Sequence, residues 1–362
     1  MAISEMKSKA QTVLGPVDGS ALGLTLPHEH LFLDIRCYLA EPADPEGKRL
    51  ARQKITLDNL WFSRHYMFSN SDNMVFDDEE LAIREAMYFK EVGGGTIVDL
   101  TPINTARNPV GLVHVARATG LNIIMGTSYY VALSYKAENG IDKKTEEGIA
   151  QEFVREIQVG VGDTGIKAGI IGEIGCSWPM DEREKKVLRA AGIAQQKTGA
   201  AINIHPGARE EAPLEHIRLL KEVGADIRRV VISHMTRTFP PEAQKARAML
   251  AETGCYLEFD WFGREGALPT SLISGYDRVT DQTRIYQIMD LIKKGHLKQI
   301  LVSHDVCFKI MLQSYGGCGY RYIPKIIVPE MLKKGMTEEQ LKTILVDNPR
   351  RVNTLKSRTR NI

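Results

Sequence analysis

The sequence predicts one α/β domain over residues 1–362, a (β/α)8 TIM barrel with a short N-terminal hairpin and C-terminal helices. Short apolar runs alternate with longer amphipathic stretches along the chain, which is typical of parallel βαβ units. Eight such runs are present, the number that closes a barrel. With 362 residues, 43% of them hydrophobic, the chain can bury one large core, and no linker or low-complexity segment divides it.

The predicted elements follow one another at regular spacing. The strands cover residues 24–33, 95–101, 122–128, 168–174, 200–205, 230–234, 255–259 and 300–305. The helices between them cover residues 78–92, 110–119, 145–159, 181–198, 213–223, 242–253 and 283–294. Gly120 and Gly199 stand just after predicted helices, where a left-handed cap is favoured. Turn signals in residues 12–23 predict a hairpin at the base of the barrel, and residues 325–334 and 338–346 predict terminal helices.

Composition narrows the class of protein. A net charge of +2 gives no electrostatic reason to expect nucleic acid or an anionic membrane as a partner, and the basic residues 356–360 are read as a solvated tail. No apolar run is long enough to span a bilayer, and residues 1–11 lack the apolar segment of a signal peptide. The five cysteines are widely spaced, as expected for reduced thiols. We therefore expect a cytoplasmic protein that acts on a small molecule; a homo-oligomer stays open.

Six side chains with metal-binding groups lie near the ends of the predicted strands. They are His28, His30, Glu173, His205, His234 and Asp305. Parallel strands bring their carboxyl ends to one rim of a barrel, which is where this fold places its active sites. Each histidine alone is equally well explained as a satisfied core residue, but the whole set at strand ends favours a metal centre.

The chemistry of the set predicts two divalent ions per chain. Imidazole suits zinc, with manganese or cobalt as alternatives, and a carboxylate can bridge two ions. His28 and His30 are two residues apart on one strand, so both point to the same face and can bind one ion together. Such a pair of ions activates a water as a nucleophile. Asp305 is the predicted catalytic residue, which takes the proton from that water and passes it to the leaving group.

The pattern of ligands resembles the phosphotriesterase family of the amidohydrolase superfamily. The resemblance implies that His28, His30 and Asp305 hold the more buried ion, that His205 and His234 hold the more exposed ion, and that Glu173 bridges both. Many members use a carboxylated lysine as the bridge, where this chain has glutamate. Residues 12–18, 172–179 and 315–320 resemble the phosphotriesterase-related subgroup, whose members are associated with hydrolysis of the amide N-acetyltaurine to acetate and taurine.

An anionic substrate needs a cation above the rim. Arg237 follows His234 and Lys309 follows Asp305, so both are predicted to contact such a group, with Tyr130 and Trp178 as walls. Weaker candidates are Arg36 and Arg264, and His304 is read as structural. The remaining histidines, His65, His114, His216 and His296, fall outside the strand ends and are given no chemical role.

Two alternatives stay open. The first is a lactonase, esterase or phosphotriesterase of the same family, which the barrel favours and Glu173 disfavours. The second is a binding protein that retains the metal ions without catalysis, which Asp305 disfavours. The favoured interpretation is a binuclear metal-dependent amidohydrolase that cleaves a small N-acyl amide.

Overall fold

Eight parallel strands form the centre of the molecule in a computed structural model that describes residues 8–239, 243–264 and 279–355. In chain order, the barrel strands are β3 (Leu24–Glu29), β6 (Gly94–Asp99), β7 (Asn122–Thr127), β8 (Ile170–Gly175), β9 (Ile202–His205), β10 (Val230–Ile232), β11 (Tyr256–Phe259) and β12 (Ile300–Val302). Each strand pairs with the next in sequence, as in a TIM barrel. The predicted fold class is therefore confirmed.

Three shorter features complete the sheet structure. Strands β1 (Lys9–Thr12) and β2 (Gly15–Asp18) form the predicted antiparallel hairpin. The first barrel strand ends earlier than predicted, because the Leu31 amide turns to Asp99 Oδ2 (2.7 Å) instead of a neighbouring strand. The residues that follow form a separate antiparallel pair above the barrel, β4 (Leu33–Asp34) with β5 (Val75–Phe76).

Helices surround the barrel. They are α1 (Pro45–Ala51), α2 (Leu60–His65), α3 (Glu79–Glu91), α4 (Pro109–Thr119), α5 (Glu146–Gln158), α6 (Glu182–Thr198), α7 (Ala212–Glu222), α8 (Met235–Thr238), α9 (Gln244–Glu252), α10 (Asp281–Lys293), α11 (Val328–Lys333), α12 (Glu338–Lys342) and α13 (Asn348–Asn353). The seven predicted helices between strands are present, although the predicted start at residue 242 and the tail 356–360 lie outside the described residues. Helices α1, α2, α8 and α13 were not predicted, because helices of so few turns carry no readable periodicity. None of the described helices has the length and apolar character needed to cross a bilayer.

Side-chain caps explain where several helices begin. Asp181 accepts a hydrogen bond from the Arg183 amide and forms a capping box with Glu184 at the start of α6. The Thr145 side chain caps α5, and Asp78 caps α3. These helices follow strands whose carboxyl ends form the rim, so their caps help to fix the loops from which the site is built.

The last and first strands are joined chiefly by Glu29. This buried carboxylate accepts hydrogen bonds from the Ser303 hydroxyl (2.7 Å) and from the backbone amides of His304 (2.9 Å) and Val306 (3.0 Å). His304 Nδ1 lies 2.7 Å from the same carboxylate, and its Nε2 accepts from the Ile323 amide. The structural role predicted for His304 thus corresponds to closing the barrel.

The barrel interior changes from apolar to polar along the strands. Its lower layer consists of hydrophobic side chains that pack with Ala10 of the hairpin, with Leu22 and with Val352 of α13: Val98, Leu100, Ile124, Ile170, Ala201, Val231, Tyr256 and Leu301. Side chains two residues further along the strands point to the same interior, and these are Asn203, Ser233, Glu258 and Ser303. Another step of two residues reaches His205, Asp260 and Asp305 at the rim.

Candidate metal centre

The six predicted ligands converge at the carboxyl ends of the strands, around the carboxylate of Glu173. Glu173 Oε2 lies 3.5 Å from His28 Nε2, 3.2 Å from His205 Nδ1 and 3.6 Å from His234 Nε2. Its other oxygen, Oε1, lies 3.5 Å from His30 Nε2. Glu173 therefore occupies the centre of the cluster, as a bridging carboxylate would.

Asp305 completes the cluster from the last strand. Its Oδ1 lies 3.3 Å from His30 Nε2 and 3.9 Å from His28 Nε2. Its Oδ2 accepts a hydrogen bond from Trp261 Nε1 (3.1 Å) and lies 3.5 Å from Arg264 Nη2. The carboxylate is thus held with one oxygen facing the imidazoles and the other facing two donors.

The residues fit a binuclear metal centre. Two overlapping groups of buried side chains bring ligand atoms within 4.8 Å of one another: His28, Glu173 and His234, and His28, His30 and Asp305. His28 Nε2 is fully buried and has no hydrogen-bond partner in the described structure, although it faces two carboxylates. A buried polar nitrogen without a partner is costly, and a metal ion between it and those oxygens removes the cost.

Electrostatics hold Glu173 and His205 in the protonation states that bind cations. Burial alone would raise the pKa of Glu173, but the facing imidazoles of His28, His205 and His234 hold it well below its usual range. Burial, together with Arg237 and His234 beside it, lowers the pKa of His205 to about 3. A deprotonated carboxylate and a neutral imidazole are the protonation states in which these side chains bind metal. At His28 and His234 burial lowers the pKa, but the facing carboxylates, chiefly Glu173 for His28 and Asp260 for His234, raise it above the usual value, so a metal ion must displace a proton there.

Two buried carboxylates that the sequence analysis missed orient the histidines from below. Asp260 Oδ2 lies 3.1 Å from His28 Nδ1 and 3.0 Å from His234 Nδ1. Glu258 Oε2 lies 3.2 Å from His28 Nδ1 and accepts from Ser233 Oγ (2.7 Å). Such partners fix the ring orientation of a histidine ligand and raise its basicity. The signal for both was present in the alternation of residues 256–260, where acidic side chains occupy every second position of an apolar strand.

The backbone at two of the candidate ligands is strained. His234 has φ +57° and Asp305 has φ +52°, values in the left-handed region that side chains with a Cβ seldom adopt. Both residues directly follow strands β10 and β12, so the turn redirects each side chain over the barrel mouth. Strain of this kind is often found at functional sites, where the surrounding structure maintains it.

The predicted substrate-binding residues divide into two groups. Tyr130 is buried with its hydroxyl 3.4 Å from His205 Nδ1, and Trp178 lines a groove beside the cluster. Arg237 Nη1 donates to the Pro206 carbonyl (2.9 Å) and lies 3.0 Å from His205 Nε2. These three residues therefore border the candidate site.

Lys309 is placed elsewhere, contrary to the prediction. Its side chain is buried, and its Nζ forms a 2.8 Å ion pair with Asp72 Oδ1. The neighbouring Ile310 amide donates to Asn73, so this segment is pinned to the loop before β5. The sequence position next to the rim suggested a free cation, but Asp72, distant in sequence, already neutralises it.

The other side chains considered from sequence have local partners. Arg36 pairs with Asp34 (2.6 Å) at the surface. Arg264 is buried against the site, where Nη2 donates to the Asp305 carbonyl (3.0 Å) and the guanidinium covers the Trp261 ring. The histidines given no chemical role lie away from the cluster: His65 contacts the Trp61 carbonyl, His114 contacts Glu79, His296 contacts Gln299 and His216 is buried in α7.

Beside a cavity of about 30 Å³ between His30, Glu173, His205 and Asp305, two larger cavities border the cluster. The smaller of these two, called the small cavity, has a volume of about 90 Å³ and lies over His205, His234 and Asp305, and its other walls are mainly apolar and aromatic: Ile35, Tyr38, Phe68, Tyr130, Trp261 and Phe308. A groove of about 880 Å³ runs outward past Trp178. The two cavities share Tyr38, His205 and Arg237. An apolar group and a polar group of one small molecule could therefore lie on opposite sides of the same ligand histidine.

Comparison with known proteins gives consistent matches over nearly the whole chain. Residues 8–353 match the model of the phosphotriesterase family. A phosphotriesterase-related protein of Nematostella vectensis is 41% identical over 344 residues, 94% of this chain and 97% of that protein. The N-acetyltaurine hydrolase of Homo sapiens is 39% identical over 355 residues, 98% of this chain and 100% of that protein.

Comparison with solved structures also gives matches over nearly the whole chain. A resiniferatoxin-binding protein from Rhodobacter sphaeroides superposes with a TM-score of 0.91 at 36% identity, covering 97% of both chains. A lactonase from Listeria monocytogenes superposes with a TM-score of 0.76 at 27% identity, covering 96% of this chain and all of the other. The similarity therefore includes the barrel, the rim and the terminal elements.

Proposed function

The chain belongs to the phosphotriesterase family of metal-dependent hydrolases, and from this premise we propose that it hydrolyses a small anionic N-acyl amide, with N-acetyltaurine as the first candidate substrate. The observation that carries the proposal is Arg237, whose guanidinium lies 3.0 Å from the ligand histidine His205. Its contacts in the described structure are a neutral imidazole and a carbonyl, so its charge is not balanced by a carboxylate. An anionic tail attached to the scissile amide would supply that balance.

The cluster would hold two divalent ions, zinc being the first choice for a donor set rich in imidazole. His28, His30 and Asp305 would hold one ion, His205 and His234 the other, and Glu173 would contact both. When bound, such ions lower the pKa of water to about 7 and polarise a carbonyl oxygen. The Asp260 carboxylate would keep His28 and His234 in the tautomer that offers Nε2 to the site, because Nδ1 of each faces it.

Asp305 is the residue placed to move a proton. Its carboxylate lies at the mouth of the barrel, in the wall of the small cavity. We assign it the transfer of a proton from the attacking water to the nitrogen of the leaving amine. The hydrogen bond from Trp261 prevents the carboxylate from rotating, so the accepting oxygen keeps one position through the reaction.

The two cavities suit the two parts of an N-acyl amide. The small cavity of about 90 Å³ has aromatic walls that suit a short acyl group and exclude water from the bond that breaks. The anionic amine would lie toward Arg237 and the outer groove. Tyr38 lines both cavities and Tyr130 lines the small one, so these rings would align the scissile bond over the cluster.

A paired substrate assay tests the proposal. N-acetyltaurine is compared with N-acetylethanolamine, which has a hydroxyl where the former has a sulfonate, using zinc-loaded protein and the variant Arg237→Gln. Loss of one charge-assisted contact should lower kcat/KM for the anionic substrate by about ten- to a hundredfold. The uncharged substrate should change by less than about threefold. Arg36→Gln is the matched control, since Arg36 is already paired with Asp34.

Two results would contradict the proposal. Absence of turnover of either amide by metal-loaded protein would exclude the amidohydrolase function. Equal losses on both substrates in Arg237→Gln would show that Arg237 supports the loop and does not recognise the anion.

The similarity to a lactonase and to a resiniferatoxin-binding protein favours two other candidates. A lactonase would cleave an ester bond in a ring with the same nucleophile, and a binding protein would retain a ligand without turnover. Glu173 disfavours the lactonase, and Asp305 disfavours the binding protein. Lactone hydrolysis that exceeds amide hydrolysis, or saturable ligand binding without any product, would replace the proposed function by one of these.

A further inference from the structure

The outer groove carries a second cation that the catalytic cluster does not use. Arg209 is exposed and lines the same groove as His205 and Arg237. No carboxylate partner of its side chain occurs in the described part of the chain. Arg183, the remaining arginine of the groove, is neutralised by Asp181 at 2.9 Å.

The acidic residues of the groove are also satisfied internally. Glu184 accepts from the Ala132 amide (2.7 Å) and from the Ser177 amide (2.8 Å) and hydroxyl (2.7 Å). Asp181 caps α6 and pairs with Arg183. The groove is lined by three arginines, Arg183, Arg209 and Arg237, against the two carboxylates Asp181 and Glu184, which leaves an excess of one positive charge that attracts anions.

The loop that carries Arg209 is fixed against the opposite wall. A Cβ added at Gly207 would lie 2.5 Å from Trp178 Cβ and 3.0 Å from the Ser177 carbonyl oxygen, so the two loops touch at this point. The Arg209 amide donates to the Gly207 carbonyl (2.8 Å), which ties the arginine to that contact. Its backbone is consequently placed by packing, two residues from the contact between Gly207 and Trp178.

We propose that Arg209 forms a second anion subsite, which extends the substrate class to N-acyl derivatives of amines that carry two acidic groups. This inference rests on the proposed amide hydrolysis, which sets the orientation of the substrate. The acyl group lies in the small cavity, the first acidic group lies at Arg237 and the second lies at Arg209. Hydrolysis is the same for such substrates, since water adds across the carbon–nitrogen bond and releases a short carboxylic acid and the diacidic amine.

The test compares two amides that differ by one charge. N-acetylglutamate and N-acetylglutamine have nearly the same size, and only the former carries a second carboxylate. Wild-type protein should prefer N-acetylglutamate by about tenfold in kcat/KM, and Arg209→Gln should reduce that preference to about one. N-acetyltaurine should change by less than about twofold in the variant, because its single anion is bound by Arg237.

Arg228→Gln is the matched control, because Arg228 is an exposed arginine paired with Asp226 and precedes β10, at the other end of the barrel. A second readout needs no turnover: glutarate binding to the metal-loaded protein, measured by calorimetry, should weaken about tenfold in Arg209→Gln and stay unchanged in Arg228→Gln. Added salt should reduce the difference, because an exposed charge is screened.

The results of these experiments distinguish failure of the Arg209 subsite from failure of the proposed amide hydrolysis. Turnover of N-acetyltaurine with no preference between the two glutamyl amides overturns the subsite and leaves the proposed function intact. Arg209-dependent binding of glutarate without turnover of any amide supports the subsite and overturns the proposed function. Equal glutarate affinity in wild type and Arg209→Gln overturns the subsite in either case.

Discussion

At the N-terminal end of the barrel, buried polar groups meet neutral partners, whereas at the carboxyl-terminal rim buried charges face one another. Arg229, near the base, donates to the backbone carbonyls of Arg351 (3.1 Å), Val352 (3.0 Å) and Thr354 (2.7 Å). At the rim, Glu173 and Asp305 lie within 4 Å of several imidazoles, and His28 Nε2 lacks a hydrogen-bond partner among the described residues. The base joins the chain termini to the barrel, while the rim concentrates groups that are costly to bury.

Stability is therefore concentrated at the base of the barrel and function at its rim. Hydrogen bonds to backbone carbonyls and apolar packing at the base hold the barrel closed, although Arg229 Nε has no partner among the described residues. The rim has a charged cluster that binds cations in place of such stabilising contacts. Active sites commonly show this trade-off between stability and activity. Substitutions at the two ends should therefore have opposite signatures: loss of metal and activity at the rim, and loss of folding stability at the base.

The largest expected effect is that of Glu173→Gln. The substitution keeps the size of the side chain but removes the charge at the centre of the cluster. We expect metal content to fall and kcat/KM to drop on the order of a thousandfold, the result of losing about 4 kcal/mol of transition-state stabilisation. Elemental analysis and steady-state kinetics measure both. Near-normal activity and metal content would show that the glutamate is not a ligand.

A smaller effect at the rim is expected from Asp260→Asn. Loss of this orienting carboxylate should weaken metal affinity by about ten- to a hundredfold while leaving the ligands themselves in place. Competition with a chelator measures the affinity. Glu85→Gln is the control, because this buried carboxylate accepts from the Gln313 (2.9 Å) and Ser314 (2.8 Å) amides, away from the cluster, and should affect stability alone. Equal loss of metal affinity in both variants would contradict the orienting role.

At the base, Arg229→Met should show the opposite signature. Three backbone carbonyls lose their donor, so the free energy of unfolding should fall by about 1–3 kcal/mol. The kcat/KM of metal-loaded protein should stay within about twofold of wild type. Denaturant unfolding and kinetics test the two parts. A marked loss of activity with unchanged stability would break the distinction between base and rim.

The smallest effect is a pH dependence of stability at His216 on α7, away from both ends. Burial lowers the pKa of His216 to about 3. Because the folded pKa lies below the unfolded one, the contribution to stability is complete above about pH 6.5 and is lost as the pH falls toward 3. His216→Leu should therefore be less sensitive to acid over that range, measured by unfolding of metal-free protein. An unchanged pH dependence would show that His216 is not the responsible group.

Periodicity and spacing predicted the fold well because each barrel strand is a buried apolar run between helices. The eight strands and the helices between them were predicted, whereas α1, α2, α8 and α13 were too short to be recognised from periodicity. The strand predicted for residues 24–33 ended at Glu29, since the chain turns toward Asp99, a contact distant in sequence.

The predictions for the candidate site succeeded and failed for the same reasons as those for the fold. The structure brings the six candidate ligands together, and it brings Arg237, Tyr130 and Trp178 to the two cavities. Lys309 was wrongly placed because only the folded chain reveals its pairing with Asp72. Glu258 and Asp260 were missed because their alternation along the strand shows that they share a face but not which histidines that face meets. Positions at strand ends could thus be predicted, and contacts between separate loops could not.

The most direct test of a binuclear hydrolytic centre at the rim is a metal titration of the chelator-stripped protein. Zinc, and in parallel manganese or cobalt, is added in steps while bound metal and hydrolysis of N-acetyltaurine are recorded. A binuclear hydrolytic centre predicts saturable metal uptake that ends at about two ions per chain, with hydrolytic activity reaching its maximum at the same metal content. Uptake of no more than trace metal, or hydrolysis that does not depend on metal, would contradict it.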